Sequence, residues 1–270
     1  LTLSVLLPKL LSQWFKDREL GLAMGLYKRP PQWWRYSGLL KDAVKHVDAF
    51  IALSHFSKEI HHQMGLSVPM VYLTGFIPSS DSTVRSPSEL PMGQVEGKPY
   101  FLFVGRLEKL KGLQTLIPIF HRYRKAQLVI AGAGSYEPRL RQLAGDSSNI
   151  HFLGYLSEGQ LQILYRQAVA VIVPSICFEM FPLVILEAFR QQTPVIANNL
   201  GGMSEIIEES GGGFVYNTEE DLIGRLDQLL SNPLYRDELG QRGYRSYQQK
   251  WTAEPFLERY LALIQDIQTI

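Results

Sequence analysis

Sulfur chemistry is nearly absent from this sequence: one cysteine, Cys177, stands in 270 residues. A single thiol excludes an intrachain disulfide and any cysteine-based zinc site, and it fits a reducing compartment. Neither sign of charge is in excess, with 27 Lys and Arg against 26 Asp and Glu for a formal net charge of +1. Nucleic acid is therefore not expected as a partner, because a phosphate backbone calls for a basic patch or a strong basic surplus. No apolar run reaches the roughly 20 residues that a membrane-spanning helix requires. The six histidines, His46, His55, His61, His62, His121 and His151, show no metal spacing such as His-x-x-x-His with a carboxylate partner. Walker loops, Gly-x-Ser-x-Gly elbows, low-complexity segments and internal repeats are missing too. The first residue is Leu1, and the apolar run over residues 1–11 has neither the basic start nor the small-residue cleavage site of a signal peptide. We expect an interior segment of a longer protein.

What is present is organised around residues 169–197. Val169-Ala-Val-Ile-Val173 is apolar and mostly β-branched and stops at Pro174-Ser175, which reads as a buried parallel strand and a loop. A helix is predicted from near Pro182, where proline suits the first turn because its missing N–H would have had no partner there. A second buried strand runs over residues 194–197. Strand, loop, helix, strand is the doubly wound unit, whose ligand sits where strands end and helices begin.

Two glutamates distinguish this unit: Glu179 in the loop and Glu187 in the helix, eight residues on. A carboxylate repels phosphate but accepts two hydrogen bonds from a diol. Two of them beside a helix N-terminus point to a ligand with both anionic groups and hydroxyls, as in a nucleotide sugar. The amides of Phe181 and Leu183 would face the anion, Glu187 a ribose diol and Glu179 the sugar. The plainer alternative is a surface loop glutamate and a helix glutamate offsetting charge.

Along the chain, residues 1–65 have helical character, with Trp14, Phe15, Trp33 and Trp34 among the apolar positions and a local basic excess. That mixture could dock on anionic lipid, or be an ordinary helical surface over core aromatics. Residues 47–53 read as a strand, Ser54 or Ser57 as a helix N-cap, residues 58–64 as a short helix and residues 68–77 as a further strand. Residues 78–98, rich in Pro, Ser and Gly, mark a linker. Beyond it, strands are expected at 100–104, 127–131 and 149–152, and helices at 112–124, 135–144 and 157–167. After the central unit come a helix at 203–209, a glycine turn at 211–213 and helices from about 218 onward. This alternation is that of a parallel sheet covered on both faces.

Other positions could meet the same ligand. Gly105 permits a tight turn at the end of the 100–104 strand, and Arg106 and Lys111 bring two cations to that edge. Arginine grips phosphate through paired hydrogen bonds and lysine acts as a point charge; both could equally be solvated charges at a helix start. Ala131-Gly-Ala-Gly-Ser135 lacks the third glycine of a dinucleotide fingerprint, Glu137 standing in its place, so a glycine turn is the better account. Backbone groups of Tyr155 and Leu156 could meet a nucleotide base, or be plain turn and core. Gly201-Gly202 could admit a ligand close to the backbone, or simply lead into a helix.

With these pieces in place the chain resembles the retaining glycosyltransferases of family 4, of GT-B fold. The resemblance rests on Val104-Gly-Arg-Leu with Lys111-Gly-Leu, Asn149-Ile-His-Phe-Leu-Gly, Pro174-Ser through Glu179-Met-Phe-Pro-Leu-Val-Ile-Leu-Glu-Ala, Pro194-Val-Ile-Ala and Gly201-Gly-Met-Ser-Glu-Ile-Ile. It covers about residues 98–249 well and extends more weakly back to residue 48. It implies an α/β protein: a C-terminal Rossmann-like doubly wound parallel sheet over residues 99–250, the tail end of an N-terminal Rossmann-like acceptor domain over 1–77, a linker over 78–98, and a helix over 251–270 bracing the N-terminal domain. It implies that Arg106 and Lys111 bind the donor diphosphate, Glu179 and the backbone from Phe181 to Leu183 the transferred sugar, and Glu187 the ribose. The family often has glycine where this chain has Pro182, which removes one amide donor.

The expected activity is transfer of a sugar, with retention, from a UDP-, GDP- or ADP-sugar to an acceptor hydroxyl of a glycan, a lipid-linked carrier or a small molecule. No metal and no cofactor are expected. The expected location is cytoplasmic, with peripheral contact at the inner face of the membrane as an addition. A non-catalytic nucleotide-sugar-binding module and a membrane-surface interaction protein are the alternatives.

Overall fold

The computed structural model describes residue 44 and residues 46–66, 68–78 and 97–268. The tryptophan-rich basic stretch at 1–43 and most of the expected linker, residues 79–96, lie outside the described residues. The chain divides into two compact units, Leu1–Phe50 and Ile51–Ile270. Residues 51–77, assigned from the sequence to an N-terminal domain, thus fall within the second unit, and Ile77 joins its core.

Strand β1 (Phe50–Ala52) starts at the boundary residue, and helix α1 (His55–Gln63) and strand β2 (Met70–Tyr72) follow, β1 and β2 forming a two-stranded sheet. Both strands are shorter than their apolar patterns predicted. Ser54 is the N-cap of α1, its hydroxyl accepting from the Ser57 amide at 3.0 Å.

A six-stranded sheet follows, in the order β5-β4-β3-β6-β7-β8, with all five pairings parallel. Its strands are β3 (Tyr100–Val104), β4 (Gln127–Ala131), β5 (Ile150–Gly154), β6 (Ala170–Val173), β7 (Val195–Asn198) and β8 (Gly213–Tyr216). The helices between them are α2 (Leu113–Arg122), α3 (Glu137–Ala144), α4 (Glu158–Gln167), α5 (Leu183–Arg190) and α6 (Met203–Ser210). After β8 come α7 (Glu219–Ser231), α8 (Pro233–Lys250) and α9 (Ala253–Gln268). Strand β8 is a correction to the sequence reading, which passed from the glycine turn straight to helices. Gly-Phe-Val-Tyr is too short and too close to Gly211-Gly212 to stand out by pattern, but its four residues pair with all of β7.

Alternate residues of the strands feed two cores. Tyr100, Leu102, Val129, Val171 and Val195 pack with α4, α5 and α6, whereas Phe101, Phe103, Leu128, Ile172 and Ile196 pack with α2, α3 and α7. Side chains on a strand alternate faces, so these largely apolar strands are buried on both sides. Each fully buried Leu or Phe contributes about 1.5–3 kcal/mol. Order along the sheet reverses between β3 and β6, and a crevice opens outside the carboxyl ends of strands at such a point.

Residues 76–78 pack on the end of the same unit: the Ile77 amide donates to the Trp251 carbonyl at 3.1 Å, the Tyr247 hydroxyl donates to the Pro78 carbonyl at 3.2 Å, and Phe76 meets Phe256 of α9 with ring centres 4.6 Å apart. Among the described residues no helix is long and apolar enough to cross a membrane.

Candidate active site

The chain leaves β3 at Val104 and turns through Gly105 and Arg106 to a short 3-10 turn, Lys109–Lys111. Gly112 ends that turn with φ 78°, and a Cβ there would stand 1.7 Å from the Pro174 carbonyl oxygen. Only glycine accepts both the left-handed backbone and this approach. The turn is thereby pressed against the loop that leaves β6, and the Ile176 amide donates to the Leu110 carbonyl at 3.0 Å. Two loops at the reversal point are joined in this way.

Their side chains meet as a consequence. Lys111 Nζ lies 2.6 Å from Glu179 Oε1, and the Ser175 hydroxyl donates to the same oxygen at 2.8 Å. The Cys177 thiol is 3.8 Å away; burial first, then the neighbouring Glu179 carboxylate, push its pKa up. Around these groups is a cavity of about 240 Å³ whose wall includes Gly105, Arg106, Ser175, Phe181, Pro182 and Leu183. Pro182 is the N-cap of α5 and not part of its first turn as the sequence predicted, the helix starting at Leu183, and Leu183 and Val184 line the cavity. Amides in a helix's first turn have no partner within the helix and carry its positive dipole end. Arg106 borders the same space, but its guanidinium is turned to Glu108 at 2.7 Å and its side chain is 74% exposed.

The other expected residues are placed differently. Glu187 lies outside this wall, one turn further along α5, where the Tyr165 hydroxyl donates to its Oε2 at 2.6 Å. Burial, and then the adjacent Glu187 carboxylate, hold the Tyr165 pKa far above the ordinary phenol range, so it stays a donor. Tyr155 and Leu156 follow the edge strand β5, and neither lines the cavity; Tyr155 is exposed and Leu156 buried. Gly201 and Gly202 approach the Glu179 loop itself: the Gly202 amide donates to the Glu179 carbonyl at 2.7 Å, and a Cβ on Gly201 would fall 2.8 Å from that carbonyl oxygen. The glycines brace the loop from behind.

Sequence reasoning missed three contributors. Ser175 and Gly112 stood inside motifs singled out for their neighbours. Tyr165, from α4, carries no local signal. The Ala131-Gly-Ala-Gly segment behaves as the turn expected of it, hydrogen-bonded to Leu107 through Ala133 and Tyr136. Among the described residues no three His, Cys, Asp or Glu side chains gather as a metal's ligands would.

Residues 91–246 match the family described as Glycosyl transferases group 1. The chain belongs to that family. An uncharacterized glycosyltransferase of Methanocaldococcus jannaschii is 34% identical over 169 residues, 60% of this chain and 43% of its own length. The O-antigen chain mannosyltransferase C of Escherichia coli is 30% identical over 173 residues, 62% of this chain and 46% of its own. The chain thus spans about half the length of the curated relatives it matches. HepE of Anabaena, solved in complex with UDP, superposes with a TM-score of 0.70 at 16% identity over 83% of this chain and 65% of its own. The sheet unit has the Rossmann-like fold of a GT-B glycosyltransferase C-terminal domain.

Proposed function

We propose that this chain forms the donor side of a metal-independent glycosyltransferase that moves a sugar from a nucleoside diphosphate to an acceptor hydroxyl with retention of configuration. One observation carries the reading: Lys111, Glu179 and the start of α5 share a cavity at the point where strand order reverses. The bond that breaks joins the anomeric carbon to a diphosphate oxygen, so negative charge grows on the leaving group and positive charge on the sugar ring. Lys111, with Arg106 swung in from Glu108, and the α5 amides face the first; the Glu179 carboxylate faces the second. Donors already aimed at a developing charge cost no reorganisation when it appears, and losing one costs about 3–4 kcal/mol of barrier. The acceptor oxygen bonds to the anomeric carbon, and its proton passes to the departing phosphate oxygen. Glu187, oriented by Tyr165, holds the ribose.

A nucleotide-linked donor is supported by a Corynebacterium glutamicum relative named as a GDP-mannose-dependent mannosyltransferase, 30% identical over 193 residues, and by HepE, solved with UDP. Calorimetry of UDP, GDP, ADP and their sugars against the full-length protein tests the proposal, with NMR of the product's anomeric configuration and assay in chelator. Glu187→Ala weakens nucleotide binding and Glu179→Ala mainly lowers kcat. Equal loss of nucleotide affinity in both variants contradicts this division of labour.

A further inference from the structure

Glu205 has no part in the cavity, yet it occupies a structural crossing point. It stands in the first turn of α6, and its two carboxylate oxygens accept from the first two amides of α1: His55 at 2.7 Å to Oε2, and Phe56 to Oε1. With Ser54 capping the Ser57 amide, three donors that α1 cannot satisfy internally are met. The carboxylate also sits at the positive end of the α1 dipole.

Both sides of this clamp lead to Glu179. On one side α6 starts at Gly202, whose amide holds the Glu179 carbonyl at 2.7 Å, while a Cβ added to Gly202 would lie 3.0 Å from the Ser54 Cβ. On the other, the Phe56 ring packs on Phe178, the residue immediately before Glu179 in this loop, with centres 4.9 Å apart. The loop bearing Glu179 is therefore gripped between α1 and α6, and Glu205 fastens the two helices to each other.

We propose that Glu205 is a positioning residue for Glu179: by pinning α1 to α6 it sets where the Glu179 carboxylate stands relative to the transferred sugar. This rests on the role given to Glu179 above. A displacement of about 1 Å at a reacting group can cost on the order of 100-fold in rate. Nucleotide contacts assigned to Glu187 lie on α5, away from the clamp.

The test is a double-mutant cycle in the full-length protein, reading kcat for transfer and affinity for whichever nucleoside diphosphate the wild type binds. Glu205→Ala is expected to lower kcat by about 10- to 100-fold while nucleotide affinity stays within about three-fold, and Glu205→Gln, which keeps one acceptor oxygen, to recover part of the loss. In a Glu179→Gln background the same Glu205→Ala change is expected to alter kcat by less than about two-fold, since residues acting through one another are not additive. A merely structural cap would lower the melting temperature in both backgrounds and leave this pattern absent. Additive losses, an unchanged kcat, or a fall confined to nucleotide affinity would overturn the inference alone. Failure of the wild type to bind any nucleotide would overturn the proposed function and this inference with it. Should Glu205→Ala not fold, Glu205→Gln and Phe178→Leu carry the same cycle.

Discussion

Lys111 and Glu179 stand 68 positions apart in the chain and 2.6 Å apart in space, with 26% and 16% of their side chains exposed. A pair this far out of water gains Coulomb energy and loses hydration in comparable amounts, so it adds little net stability while making the loss of one partner costly. It also holds a cation and a carboxylate ready at the cavity without either being stranded.

Breaking the pair from either end should therefore destabilise more than removing it whole. Lys111→Met and Glu179→Gln are each expected to lower unfolding free energy, and the double variant to recover about 1–2 kcal/mol of the summed loss. Denaturant titration of the four proteins gives the coupling. In activity, Lys111→Met should cost about 100- to 1,000-fold in kcat, the scale of losing one preorganised donor.

Gly112→Ala should be among the most damaging single-atom-group additions in the chain. The new methyl meets the Pro174 carbonyl at 1.7 Å on a φ of 78°. Left-handed backbone alone costs an alanine about 1–2 kcal/mol, and relieving the overlap adds about 1–3 kcal/mol. For a unit of this size, a total of about 3 kcal/mol lowers the melting temperature by roughly 6–12 °C, readable by calorimetry. Activity should fall with it, because the same turn carries Lys111.

Cys177 offers a pH-dependent probe of the cavity. Its pKa is raised by burial and by Glu179 and lowered by Lys111. A thiolate beside a carboxylate is disfavoured, so Glu179→Gln should bring the pKa down and speed alkylation near neutral pH. Lys111→Met should do the opposite. The rate of iodoacetamide modification against pH measures both, and identical profiles in the two variants would remove the electrostatic account.

Tyr165→Phe isolates the orientation of Glu187. Losing the 2.6 Å hydrogen bond leaves the half-buried carboxylate without that donor, a cost of about 1 kcal/mol, at the low end of that for a buried group. Nucleotide affinity should weaken several-fold, but less than in Glu187→Ala, with kcat little changed. Calorimetric titration separates the two variants.

Strand and helix order, β8 excepted, was written into local pattern. β3 and β4 occupy the residues that their apolar runs marked, 100–104 and 127–131, and of the two caps the sequence offered for α1, Ser54 and Ser57, the structure uses Ser54, so the helix starts at His55 rather than at residue 58. An all-apolar run followed by a turn and an amphipathic stretch allows few other readings, because burial period and turn chemistry act over neighbouring residues. The identity of the two cation-bearing and carboxylate-bearing segments was legible for the same reason.

Which of those segments face one another was not in the local pattern, and only the family resemblance put Lys111 and Glu179 on one ligand. A parallel sheet joins its strands by crossovers, and periodicity carries no record of the order in which they pair; only the placement of β6 beside β3 brings Glu179 to Lys111 and adds Ser175. The same packing gave Glu187 to Tyr165, left Tyr155 outside the cavity, turned Gly201-Gly202 into a brace for the loop and completed the sheet with β8. Local sequence determined the elements and their chemistry, while contact between groups scores of residues apart depended on the assembled sheet, where the burial of two cores selects a single arrangement.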